Sequence, residues 1–145
     1  MNAYVDSLRE ALENYRTELK ALEKNRKPLD GIFGTGSSVK TNACHERFDG
    51  AVEAVMTRLR EEGASGDEIG EAAAFVLDAA EPGGAMNSLE LYLVAAQRHC
   101  LPLIGLIPPE QAASLAQRYE RRWPRRFRLP VQTEILKALK ARGKE

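Results

Sequence analysis

The sequence predicts an all-α fold, a compact bundle of five to six helices with a long amphipathic helix at its N-terminus. Three observations carry that reading. Alanine and leucine together number 37 of 145 residues, against 12 for valine plus isoleucine, a balance that favours helix and leaves little for strands. Apolar residues recur at spacings of three and four rather than in alternation. Proline, glycine and serine clusters cut the chain into pieces of ordinary helix length. With 43% hydrophobic and 29% charged residues the composition is globular, and the length fits one domain over 1–145. Within it the sequence predicts a heptad-patterned helix over 1–27, a Gly/Ser-rich loop over 28–41 and a helical core over 42–145.

In the first helix Val5, Leu8, Leu12, Tyr15, Leu19 and Leu22 form a heptad seam of three repeats, which points to an oligomer seam or to one arm of an antiparallel hairpin. Pro28 ends it. Asn42 is the expected N-cap of a second helix reaching about Glu62 on Cys44, Phe48, Val52, Val55 and Leu59, with Gly63 as its stop. Ser65 and Glu68 have the spacing of a capping box for a third helix to about Ala80. The run Leu89, Leu91, Tyr92, Leu93, Val94, Ala95 and Ala96 has almost no polar face, which predicts the central buried helix. Pro102 interrupts it and leaves an apolar connector from Leu101 to Ile107. Pro108 and Pro109 suit the first turn of a fifth helix, on Ala112, Leu115, Ala116 and Tyr119, which Pro124 closes. The last helix runs from about Pro130 to Arg142.

Charge excludes some functions and localises others. The chain has 21 Lys plus Arg and 21 Asp plus Glu, so no uniform field draws nucleic acid or an acidic membrane to the whole surface. The distribution is uneven. From Pro108 onward 10 basic and 4 acidic residues give +6, and residues 1–107 carry 11 against 17, or −6. No uncharged apolar stretch reaches the roughly 18 residues of a membrane span, and Asp6, Glu10, Glu13 and Glu18 are foreign to a signal peptide. A soluble, cytoplasmic protein with no membrane partner is expected.

Chemistry-bearing motifs are weak. Gly34-Thr35-Gly36-Ser37-Ser38-Val39-Lys40-Thr41 has part of a phosphate-binding loop, but Val39 stands where the second glycine belongs and no buried strand precedes it. The chain's cysteines and histidines fall in two adjacent pairs, Cys44-His45 and His99-Cys100. Two thiolates and two imidazoles are a valid zinc set, yet neighbours on a helix point about 100° apart and C-x2-C spacing is absent. Buried cysteines beside helix-end histidines are the favoured reading, with no metal. His45-Glu46-x-x-Asp49 resembles a metalloprotease helix with Asp replacing the second His, which removes a ligand. The stretch Arg121, Arg122, Trp123, Arg125, Arg126, Phe127 and Arg128 alternates guanidinium groups with aromatics, as phosphate contact with base stacking requires. The same residues also suit a structural role, which the zero net charge favours: Trp123 and Phe127 packing into the bundle while the arginines pair with the acidic faces of the first three helices.

The expected function is that of a non-enzymatic interaction or adaptor protein, binding another protein or a second copy of itself through the N-terminal helix. That expectation rests on the seam, the apolar connector and the lack of a catalytic set. The alternative is a nucleic-acid-binding module using residues 121–128, and the third reading is a metal-dependent enzyme using the Cys/His pairs. No cofactor is expected.

Overall fold

The computed structural model describes residues 2–24, 37–80 and 88–145, and among these every element is helical. The elements are α1 (Ala3–Lys24), α2 (Ser37–Glu61), α3 (Gly66–Ala79), α4 (Ser88–Ala96), a 3-10 segment (Gln97–Leu106), α5 (Pro109–Arg122), a short 3-10 turn (Arg125–Phe127) and α6 (Pro130–Gly143). The all-α bundle is therefore the fold. Among the described residues no helix is long and apolar enough to cross a membrane.

Asn2 caps α1, its Oδ1 accepting from the N–H groups of Tyr4 and Val5 at 3.0 and 3.3 Å. α1 and α2 form an antiparallel pair. Tyr4 meets Arg58 and Glu62, Tyr15 meets His45 and Phe48, and Glu18 meets Arg47, so advancing along one helix retreats along the other. Leu8, Leu12 and Tyr15 are buried between them, and Val5, Leu19 and Leu22 are half-buried against the same core. The heptad seam thus closes within the chain, as the arm of an intramolecular hairpin. Its partner face on α2 consists of Phe48, Val52, Val55 and Leu59.

α2 starts at Ser37, five residues before Asn42, because no glycine or proline stands between them to break it. Residues 37–41 of the expected loop are helix. Gly34, Thr35 and Gly36 lie outside the described residues. At the other end Gly63 has φ +65°, and the N–H of Ala64 reaches back to the carbonyl of Leu59 at 3.1 Å, a Schellman stop that glycine adopts without a Cβ clash. The capping box forms as its spacing predicts: Glu68 N–H donates to Ser65 Oγ at 3.1 Å and Ser65 N–H to Glu68 Oε1 at 3.0 Å.

The centre of the bundle is the 3-10 segment, which packs against α2, α3, α4 and α6. The expectation that the Leu89–Ala96 helix is central and buried all round is corrected: Leu93, Val94 and Ala96 are buried, but Leu91 and Tyr92 are 44% and 40% exposed. Pro102 explains the exchange of roles. It has no N–H to donate and cannot continue an α-helix, so the chain tightens to three residues per turn. With that period Gln97, Cys100 and Leu103 eclipse one another, and all three are fully buried. The apolar connector is therefore core, with only Leu106 of its large side chains half exposed.

α5 opens on Pro109 and ends before Pro124, and α6 opens on Pro130, whose preceding residue Leu129 donates its N–H to Gln132 Oε1 at 3.0 Å. The two helices pack closely; a Cβ on Gly143 would lie 2.9 Å from Ala113 Cα, so glycine is required for that approach. Three arginines satisfy carbonyls at helix ends. Arg122 donates to the carbonyls of Asp78 and Ala80, Arg128 to that of Trp123, and Arg142 to that of Ile107.

Candidate functional site

Because the chain tightens after Ala96, Arg98 and His99 leave the buried ridge of Gln97 and Cys100 and turn toward α2. There α2 presents His45, Asp49 and Glu53 at intervals of four, which places them in a row on one face. Between this row and α4 lies a groove of about 410 Å³ whose walls include Glu46, Gly50, Tyr92, Ala95 and Arg98. Gly50 leaves open space on the α2 side, since a Cβ there would meet nothing within 4 Å.

At one end, His45 is buried. Its Nδ1 shares a short hydrogen bond with the Tyr15 hydroxyl, and its ring stacks on Tyr92 with centroids 3.4 Å apart and planes 14° from parallel. Burial pushes the imidazole below its ordinary pKa, so His45 is neutral at pH 7. At the other end Asp49 receives Arg98 in a bidentate pair, Nη1 to Oδ1 and Nη2 to Oδ2, both at 2.8 Å. His99 Nε2 lies 3.2 Å from the same Oδ2. Partial burial opposes ionisation of Asp49, but the hydrogen bonds from Arg98 and His99 outweigh it and hold its carboxyl below the usual range. Glu53 completes a trio: ligand atoms of Asp49, Glu53 and His99 all lie within 4.8 Å of one another. Glu46 and Glu53 have no ion pair among the described residues.

The two Cys/His pairs do not assemble. His99 joins Asp49 and Glu53, His45 joins Tyr15 and Tyr92, and Cys44 lies by Glu18 and Arg47, whose Nη2 is 3.4 Å from the sulfur. Cys100 is fully buried in the core, which pushes its thiol up to about 12. Both cysteines are free. His45-Glu46-x-x-Asp49 does lie on a helix, but His45 turns to Tyr15 while Asp49 turns to Arg98 and His99.

The arginine stretch divides. Trp123 is buried and Arg122 and Arg128 bind carbonyls, whereas Arg121, Arg125 and Arg126 are exposed. Phe127 does not pack into the bundle with Trp123 as expected: it is 52% exposed, with the Arg126 guanidinium 4.7 Å from its ring centre. None of these arginines makes an ion pair with a carboxylate among the described residues. The acidic pairing expected of them falls instead to Arg47, Arg98 and Arg118, with Glu18, Asp49 and Asp78.

Sequence reasoning gave His99 and His45 as residues of interest but not Asp49 and Glu53 as companions of His99. The available signal was the four-residue spacing of His45, Asp49 and Glu53 on one helix. What it lacked was the partner surface, since the direction of His99 depends on the 3-10 turn. Compared with known proteins, the chain matches no family model, no curated protein and no solved structure.

Proposed function

We propose that the chain is a non-enzymatic interaction protein whose groove between α2 and α4 receives an amphipathic, basic segment of another protein. The observation that supports this is the pairing of two unlike walls. Tyr92 and Ala95 line the groove from α4, with Leu91 exposed beside Tyr92 on the same helix, and Glu46 and Glu53 line it from α2 without cationic partners among the described residues. An apolar wall facing an acidic wall suits a helix or strand with apolar anchors on one side and Lys or Arg on the other. The N-terminal seam, whose side chains pack inside the chain, is not the surface this reading uses.

A photo-crosslinking residue placed at Gly50, where the groove has room, tests it. One protein should be captured from native lysate through position 50 and not through the exposed Ser114 on α5, and Leu91→Asp with Tyr92→Asp should abolish that capture. Equal capture from both positions, or none, defeats the reading.

A second reading keeps the exposed Arg121, Arg125, Arg126 and Phe127 as a nucleic-acid contact, favoured by the stacking of Arg126 on Phe127. Three phosphate contacts would give a log-log salt slope of about −2 on single strands, and only weak binding at physiological salt. Submicromolar binding of an oligonucleotide in about 150 mM salt, lost in Arg125→Glu with Arg126→Glu, would place this reading first.

A further inference from the structure

We infer that Asp49, Glu53 and His99 form a binding site for one divalent first-row transition-metal ion. Asp49 and Glu53 also line the groove, but the inference rests on the donor geometry of the trio and is read by metal binding alone, so it stands or falls apart from the protein partner.

The donor set comes first. Two carboxylates and one imidazole offer two oxygens and one nitrogen, a mixture suited to manganese, iron, cobalt or zinc and unsuited to soft ions that seek thiolate. The geometry agrees. Neighbouring ligands on an ion with bonds of about 2.1 Å are separated by about 3.0 to 3.4 Å, depending on whether the coordination is octahedral or tetrahedral. His99 Nε2 and Asp49 Oδ2 are 3.2 Å apart, a separation that a metal ion can bridge as well as a proton. Asp49 and His99 are held in place, with side chains 29% and 13% exposed, so two of the three ligands are preorganised. Glu53 is exposed and stands one turn along α2 from Asp49. Its side chain can turn inward to close the remaining distance, since all three ligand atoms already lie within 4.8 Å.

Two further features bear on the site. A cleft of about 160 Å³, lined by Glu53, Thr57, Arg60, Arg98 and His99 among others, opens beside two of the three ligands, Glu53 and His99. At roughly 30 Å³ of liquid volume per water it has room for the water molecules that complete a coordination shell. Electrostatically, Asp49 and Glu53 repel each other at a spacing of four on one helix, and Arg98 offsets only Asp49. A dication between the two carboxylates removes that repulsion. Arg98 remains as the group that orients the Asp49 carboxylate from outside the ligand set. The site differs from a Cys44, His45, His99 and Cys100 set, sharing only His99 with it.

Titration of Co2+ into the purified full chain tests this, with visible absorption and calorimetry read together. The expected result is one Co2+ per chain with ligand-field bands and no sulfur-to-metal charge-transfer band. Glu53→Gln, a surface change that leaves the core untouched, should weaken binding at least about tenfold, and His99→Gln should weaken it further. Circular dichroism establishes that both variants are folded. Absence of saturable binding, a sulfur charge-transfer band, or wild-type affinity in Glu53→Gln would each overturn the assignment.

Discussion

His45 shows how one residue responds to its setting. Buried against Tyr15 and Tyr92, it is held neutral, whereas in the unfolded chain it takes up a proton near the ordinary imidazole value of about 6.5. Its pKa is lower folded than unfolded, so the unfolded state binds more protons once pH falls below about 6.5, and stability falls with it. Thermal unfolding followed between about pH 5 and pH 7 should show that loss, and His45→Gln should flatten it. The carboxylates that are ionised more easily in the fold, Asp49, Glu18 and Glu120, act in a separate and more acidic window. Residue identity alone gave no hint of this. A histidine beside a cysteine on an apolar helix face reads the same whether its ring meets a tyrosine hydroxyl or a metal.

At the scale of elements, most helix ends were legible, the start of α2 at Ser37 rather than Asn42 being the exception, and the middle of the chain was not. Gly63, the Ser65 and Glu68 pair, Pro109 and Pro130 act through the backbone within four residues, so their meaning is fixed by the local sequence. Residues 89–107 are different. Where nearly every side chain is apolar, periods of 3.0 and 3.6 cannot be told apart, and neither can the buried side of α4 from its exposed side. The 3-10 segment makes a testable distinction between neighbouring leucines. Leu103 lies on the eclipsed ridge with no exposure, and Leu103→Ala should cost about 2 to 5 kcal/mol. Leu106, one turn later and 50% exposed, should change stability by less than about 0.5 kcal/mol on the same substitution. Urea unfolding of the two variants checks both values, and equal losses would mean that Leu106, at the end of the same ridge, is packed as deeply as Leu103.

Across the whole molecule the all-α class was evident because composition and periodicity are sums over many residues, and local errors do not change them. The groove and the Asp49, Glu53 and His99 trio were not evident, because they exist only once α2, α4 and the 3-10 segment face one another. The basic C-terminal third also behaves differently from a simple charge count. Its Arg122, Arg128 and Arg142 secure carbonyls at the ends of helices, and Arg118 alone of the α5 arginines pairs with an acid from the earlier part of the chain, Asp78. The central position of Gln97–Leu106 bears on the order of events as the chain folds. The α1/α2 and α5/α6 pairs join helices adjacent in sequence, so their contacts require only short loop closures and can form early. The 3-10 segment packs against one helix of each pair, α2 and α6, and against α3 and α4, which belong to neither, and without internal α-helical hydrogen bonds it has little reason to hold its shape alone. Its docking is therefore expected late in folding. Damage to Leu103 should then chiefly speed unfolding, while damage to the buried leucines of either pair should slow folding.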